Sequence, residues 1–328
     1  MDFFANAPIH TTSRKIYNTK LNEWLQFMPE YFNSVACIAM FPDLSLRVLQ
    51  TNLKNNSPSN RHLYIVAIMS FIRHHYTELT QQLHTDAIQT ARERWVAINC
   101  ENEAPIVQRR LENKPTEMQM KKGGSQLSYE QIIAVRDELP VGSIERLLIS
   151  MYTMIPPVRA DYFATEIVSG DTAEPVMPNY IRLREDGTAT VVLKDFKTVK
   201  VFKQITNELP VELIEQLRAS LEKTPRSYLF LNAVGKPHTR NSFTLWARRI
   251  LSKIFGTDFT LIFFRHSYST HYTMTHDLRS MTDAQIKEIS DKMGHSSEMF
   301  RAYRWIQHGG AGAANAEEDE SDAEEKEE

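Results

Sequence analysis

Residues 180–209, YIRLREDGTATVVLKDFKTVKVFKQITNEL, hold the one strong β signal in an otherwise helical chain. YIRLRE and TATVVL alternate in polarity on either side of Asp186-Gly187, a tight-turn dipeptide, and VKVFKQITNEL continues the alternation. The stretch reads as an antiparallel meander. On both sides of it the apolar period lengthens to that of a helix. SYEQIIAVRDEL opens with Ser128 and Gln131 at capping-box spacing. SIERLLISMYTMI is an apolar helix stopped by Pro156 and Pro157. Helical patterns return over 210–222, 240–255, 259–275 and 282–293. The expected fold class is therefore mainly α with a small antiparallel β-sheet. No alternating βα series and no glycine-rich phosphate loop is present, which argues against nucleotide-binding folds.

Upstream of this region the pattern is helical throughout. In TTSRKIYNTKLNEWLQFM, Ile16, Leu21, Trp24, Leu25 and Met28 recur at helical spacing behind Thr12 as the cap. PDLSLRVLQTNL and SPSNRHLYIVAIMSFIRHHY repeat the pattern with Pro and Ser at their starts, and a longer polar helix follows around 80–98. ENKPTEMQMKKGGSQ, residues 112–126, combines Pro, Gly and charge with no apolar period and reads as a linker. The expected organisation is a helical domain over 1–111, the linker over 112–126, a mixed domain over 127–308 and a disordered acidic tail over 309–328.

With 328 residues, 42% hydrophobic and 24% charged, the chain has room for two cores and the composition of a soluble globular protein. No run of 18 apolar residues occurs, and MDFFANAPIHTTSRK has no basic segment followed by an apolar one. Neither a membrane span nor a secretory leader is expected. Cys37 and Cys100 match no metal spacing and read as buried thiols in a reducing compartment. The net charge of −3 hides an asymmetry. The last twelve residues, EEDESDAEEKEE, hold nine acids and one lysine. Subtracting these from the totals of 41 acidic and 38 basic residues leaves 32 and 37, a net of +5. A mildly basic body is compatible with a polyanionic partner, and the tail reads first as a solubilising extension.

Four stretches of the second domain place polar residues where local structure does not require them. KMGHSSEMFRAYRW (292–305) sets His295 eight places before Tyr303. On an unbroken helix that spacing is about 12 Å, too far to share one reacting group. Gly294 supplies a helix stop and Ser296 and Ser297 a new N-cap, so a turn is expected to fold His295 back toward Tyr303. MIPPVRADYFATEIV puts Arg159 just after a helix break, and LKDFKTVKVFK puts Lys194, Lys197, Lys200 and Lys203 on and around a β-turn. LIFFRHSYSTHY buries Arg265 among aromatic neighbours. A lone arginine after Pro-Pro, or lysines on a hairpin, are ordinary surface features. Arg265 is harder to dismiss, because a buried guanidinium demands an anionic partner.

Taken in order, these residues resemble the catalytic set of the tyrosine recombinases, the phage-integrase family. The family order is Arg, a hairpin Lys, His-x-x-Arg, Gly-His, then Tyr. Here it falls on Arg159, Lys197 in DFKT, Arg265 in FRHSYST, His295 in MGH, and Tyr303. The resemblance spans roughly residues 10–308. SRKIYNTKLNEWL and NRHLYIVAIMSFIRHHY look like the family's helical, SAM-like core-binding domain. DFKTVKVFKQITNELP and TRNSFTLWARRIL look most like recombinases of large DNA viruses and eukaryotic mobile elements. The sequence departs from the pattern at Ile262, where the family has His or Lys. His266 lies on the same helical face, where it either substitutes for the missing group at 262 or, the favoured reading, is the packing histidine that follows this arginine in the family. Asp161 resembles the acid that orients the first arginine.

The resemblance implies a site-specific recombinase or integrase that cleaves and rejoins duplex DNA through a 3′-phosphotyrosine, for integration or excision of a viral or mobile element. Tyr303 is the nucleophile in that reading. Arg159 and Arg265 hold the phosphate, His295 hydrogen-bonds it or accepts a proton, and Lys197 protonates the leaving oxygen from a mobile hairpin. No metal, nucleotide or other cofactor is required. The implied partners are duplex DNA and further copies of the chain, forming a tetramer on paired sites. The implied location is intracellular, in a host nucleus or viral factory. A second reading keeps the fold and DNA binding but weakens catalysis, on account of Ile262.

Overall fold

The computed structural model describes residues 1–121, 127–256 and 258–304. Residues 122–126 of the expected linker and the expected tail over 309–328 lie outside the described residues. The chain divides into two compact units, Met1–Leu111 and Glu112–Glu328.

The first unit is built from six α-helices, α1 (Thr11–Leu25), α2 (Val35–Met40), α3 (Pro42–Asn52), α4 (Pro58–His74), α5 (Tyr76–Gln82) and α6 (Thr85–Leu111), with one short 3-10 turn, Glu30–Phe32, between α1 and α2. Ser57 caps α4 by accepting the Asn60 N–H, and Pro58 occupies the first turn, where its missing donor is harmless. Thr12 is not the cap of α1. That role falls to His10, whose ring accepts the Thr12 N–H. The polar helix expected around 80–98 starts later and runs to Leu111, with Pro105 inside it. Its buried stripe includes Trp95, which meets Trp24 edge to face at 5.7 Å. Both indoles donate to main-chain carbonyls, Trp24 to Ser45 and Trp95 to Ala39, so neither buried N–H is orphaned. The cysteines are not the buried thiols expected. Cys100 is exposed and Cys37 is partly exposed.

The second unit begins with a short helix, α7 (Glu117–Lys121), inside the stretch read as linker. Then follow α8 (Tyr129–Glu138), with the Ser128–Gln131 capping box formed, and α9 (Ile144–Thr153), capped by Ser143. The sheet has four strands in sequential order: β1 (Glu166–Ser169), β2 (Tyr180–Leu183), β3 (Ala189–Leu193) and β4 (Ile205–Glu208). β2–β3 and β3–β4 pair antiparallel, with Ile181 opposite Val191 and Val191 opposite Asn207. β1 pairs parallel to β2, so the sheet is mixed rather than wholly antiparallel. The connection between them is closed by the Glu166 carboxylate, which accepts the N–H groups of Val176 and Met177 at 2.7 and 2.8 Å.

VKVF, read as the start of a third strand, is instead a helical turn, α10 (Val199–Phe202). Side-chain burial explains the difference. Val199 and Phe202, three apart, dock on the core, whereas Val201 is left exposed. A strand would have put Val199 and Val201 on one face. The remaining helices are α11 (Val211–Lys223), α12 (Arg240–Phe255), α13 (Leu261–Thr275), α14 (Asp283–Lys292) and α15 (Ser297–Tyr303). α9, the sheet and α11–α13 enclose one core, from Leu147 and Tyr152 through Val191 and Leu217 to Phe264. The fold class is thus mainly helical with one small four-stranded sheet. Among the described residues, no helix is long and apolar enough to cross a membrane.

Candidate active site

The turn between α14 and α15 organises the site. α14 ends at Lys292, Gly294 takes a left-handed φ of +67°, and the Ser296 hydroxyl accepts the Met299 N–H to start α15. Only a residue without a Cβ fits easily: a Cβ at 294 would lie 2.8 Å from Ile205 Cδ1. The reversal brings the His295 ring to 5.3 Å from the Tyr303 ring, centroid to centroid.

Three more side chains meet this turn. Arg265, on α13, is fully buried, and its Nη1 donates to the carbonyls of Pro157 and Met293, both at 2.8 Å. The same guanidinium lies over the Tyr303 ring, with its carbon 4.9 Å from the centroid. Arg159 Nη1 donates to the Gly294 carbonyl at 3.2 Å, and Thr198 Oγ1 donates to that same oxygen at 2.9 Å. The two arginines thus bind adjacent carbonyls of one turn, although they stand far apart in the chain.

His266 has a different part. Its Nδ1 lies 2.8 Å from the Tyr303 carbonyl, and its ring packs edge-on against the phenol at 4.7 Å. A carbonyl only accepts, so Nδ1 carries the proton. Burial pushes His266 down to about 3, with the neighbouring Arg265 charge adding to the effect, so the ring is neutral near pH 7. His295 is held in the same tautomer, because Nδ1 lies 3.0 Å from the Ser296 carbonyl. Burial first, and Arg265 second, lower it to about 3 as well. Its Nε2 is therefore an unprotonated lone pair, buried and without a partner among the described residues.

Arg265 is also incompletely satisfied. Nε and Nη2 are buried and find no hydrogen-bond partner among the described residues. Burial lowers its proton affinity, Arg159 reinforces that, and the adjacent phenol of Tyr303 opposes it. Arg226 in the same unit shows what a structural arginine looks like. Its three nitrogens are all engaged, with the carbonyls of Leu229, Ser220 and Thr224 and the Ser220 hydroxyl.

Asp161 is buried and does not meet the Arg159 guanidinium. It accepts the Arg159 main-chain N–H through Oδ2 and pairs through Oδ1 with Arg240, at the start of α12. Lys197 is exposed, and its ammonium has no ion pair or hydrogen bond among the described residues. Its neighbours are fixed, however: Thr198 to Gly294, and residues 194 and 195 to the buried amide of Asn179. Ile262 sits half-buried on α13, three residues before Arg265.

The structure therefore gathers Arg159, Arg265, His295, His266 and Tyr303 around one turn, while Lys197 stands nearby on an anchored loop with its head group free. Reading the sequence alone missed Arg240, Asn179 and Thr198. Arg240 had a signal: a cation in the first turn of a helix opposes the macrodipole and calls for a nearby acid. Not all the basic residues are available to a polyanion, since Arg94 is taken up by Asp43 and Glu101, and Arg248 by Asp258.

The arrangement offers a buried cationic edge, a second guanidinium, an uncharged imidazole lone pair and a phenol around one turn. That set can hold a tetrahedral oxyanion, and the imidazole lone pair can accept a hydrogen bond beside it. No protein-family model matches the chain, and no curated protein sequence matches it. Among solved structures it is similar to the XerA recombinase, with a TM-score of 0.40 and 12% identity over 93% of this chain and 99% of that one. A likeness that loose places no residue.

Proposed function

We propose that the chain is a DNA strand breaking and rejoining enzyme of the tyrosine-recombinase kind, with Tyr303 as nucleophile. The observation that carries the reading is Arg265. A buried guanidinium with two nitrogens unpartnered among the described residues, lying against a phenol, is costly in a purely structural cluster and fits one that receives an anion.

The steps follow from the groups present. A DNA phosphate bridges Arg265 and Arg159, which stabilise the negative charge on its non-bridging oxygens as phosphorus becomes five-coordinate. The Tyr303 hydroxyl attacks phosphorus and passes its proton to His295 Nε2, which the Ser296 carbonyl keeps in the accepting tautomer and which the negative charge of the bound phosphate makes more basic than in the empty site. The bond from phosphorus to the 5′ oxygen breaks, and that oxygen takes a proton from the Lys197 ammonium. The products are a 3′-phosphotyrosine and a free 5′-hydroxyl, and rejoining is the reverse sequence. Removing one preorganised donor such as Arg159 is expected to slow cleavage about 10²–10³-fold.

On this reading residues 127–308 form the catalytic part and 1–111 the core-binding part, with exchange in a tetramer on paired sites, for integration or excision of a viral or mobile element. The test uses nicked duplexes drawn from the DNA flanking the gene, on which a covalent adduct accumulates because the cut end diffuses away. Wild-type protein should form an adduct stable to denaturant, and Tyr303→Phe should form none while binding the same duplexes. Wild-type protein that binds them without forming any adduct would instead favour the second reading, a binding protein weakened at Ile262. Ile262→His is then the variant expected to restore cleavage.

A further inference from the structure

We infer that Asn179, Arg240 and Thr198 form a clamp that positions the Lys197 loop, and that they act through Lys197 on departure of the 5′ oxygen. This rests on the assignment of Lys197 as general acid. Three independent attachments support it, all converging on the residues flanking Lys197.

Asn179 is 2% exposed, and its amide is saturated. Nδ2 donates to the carbonyls of Asp161 and Asp195 at 3.0 and 2.9 Å, and Oδ1 accepts the N–H groups of Lys194 and Asp195 at 2.9 and 2.8 Å. Both donors and both acceptor sites are used, so the side chain has one orientation and one position. Arg240 makes the same connection from outside. It pairs with buried Asp161, and its Nη2 reaches the Asp195 carbonyl at 3.4 Å and the Asp195 carboxylate at 3.6 Å. Its guanidinium also lies 4.6 Å from the Phe163 ring centroid. Asp161 in turn accepts the Arg159 N–H at 3.2 Å. Residue 195 is therefore tied to the segment that carries Arg159.

The third attachment lies just past the lysine. Thr198 Oγ1 donates to the Gly294 carbonyl, the oxygen that also receives Arg159 Nη1. Lys197 thus stands between two fixed points, residues 195 and 198, each connected to a phosphate-binding arginine or its turn. The loop is therefore attached on both sides of Lys197, while the lysine side chain itself has no hydrogen bond or ion pair among the described residues. Holding a proton donor close to its target this way raises its effective concentration, and a displacement of about 1 Å can cost about 10²-fold in rate.

The test separates leaving-group departure from attack. Full-length protein is assayed on a nicked duplex with an ordinary phosphodiester, and on the same duplex with sulfur in place of the leaving 5′ oxygen. A thiolate departs without protonation, so the second substrate needs no general acid. Lys197→Ala should lose roughly 10²-fold or more on oxygen and recover on sulfur. Thr198→Val, close in shape but lacking the hydroxyl, should lose about tenfold on oxygen and stay within about threefold of wild type on sulfur. DNA affinity should be unchanged, and Thr198→Ser should restore the oxygen rate. Arg265→Ala should fail on both substrates. Arg240→Lys, which keeps a cation beside Asp161, should show the same split as Thr198→Val. Equal losses on oxygen and sulfur for Thr198→Val and Arg240→Lys would overturn the clamp while leaving the enzyme reading intact. A Lys197→Ala defect that sulfur does not relieve removes the general-acid assignment and the clamp with it. No adduct from wild-type protein on either substrate removes the enzyme reading itself.

Discussion

Lowering the pH from 7 to 5 is expected to destabilise the second unit through two histidines that are buried uncharged. His266 and His295 are both held near 3, against an ordinary value of 6.5. Between those values the unfolded chain binds a proton at each position and the native chain does not. Stability is therefore complete above about pH 6.5 and falls with pH below it, by about 1.4 kcal/mol per unit for each residue. From pH 7 to pH 5 the loss is about 2 kcal/mol per histidine and roughly 4 kcal/mol for the pair, a large part of a typical domain's 5–15 kcal/mol. Carboxylates titrate in the same range, so the clean measurement is a difference. His266→Asn retains a donor able to reach the Tyr303 carbonyl but cannot ionise. It should be less stable than wild type at pH 7. That gap should narrow by about 2 kcal/mol by pH 5, because only the wild type pays the histidine penalty. Urea unfolding at pH 7, 6 and 5 measures both proteins. A gap that stays constant across the range would refute the placement of His266 as a buried neutral ring.

Two further outcomes are expected. Gly294→Ala should lower the melting temperature more than Gly187→Ala. Both glycines have positive φ, which alone costs about 1–2 kcal/mol for an L-residue, but only the Cβ at 294 meets a neighbour, and the displaced turn should also abolish adduct formation. Equal melting shifts with cleavage retained in Gly294→Ala would contradict the organising role of that turn. Deleting residues 317–328, which carry a net charge of −8, should tighten DNA binding most at low salt if the tail competes for the basic surface. Equal affinity across a salt series leaves the tail as a solubilising extension.

The elements legible in the sequence were those whose signals are local. The Ser128–Gln131 capping box, the Asp186-Gly187 turn and the stop at Gly294 depend on a few adjacent residues, and each occurs as read. Arg265 was legible for another reason: its aromatic surroundings required burial, and burial of a cation required a purpose. β1 was not legible, because four residues beginning with a glutamate resemble a loop until β2 arrives beside them. VKVF was misread because Val and Phe satisfy either period, and only docking on the core selects i and i+3. The ties from Asn179 and Arg240 were invisible because they cross 15 to 79 positions of chain between groups that are unremarkable singly.

The acceptors that hold both arginines and Thr198 at the α14–α15 turn are peptide oxygens, those of Met293 and Gly294. Replacing the methionine side chain leaves such an oxygen in place, whereas altering the local dihedral angles moves every group bound there together. Variation among descendants of this sequence should therefore be tolerated at 293 wherever volume is conserved and refused at 294, where conformation, not chemical identity, is what inheritance must preserve.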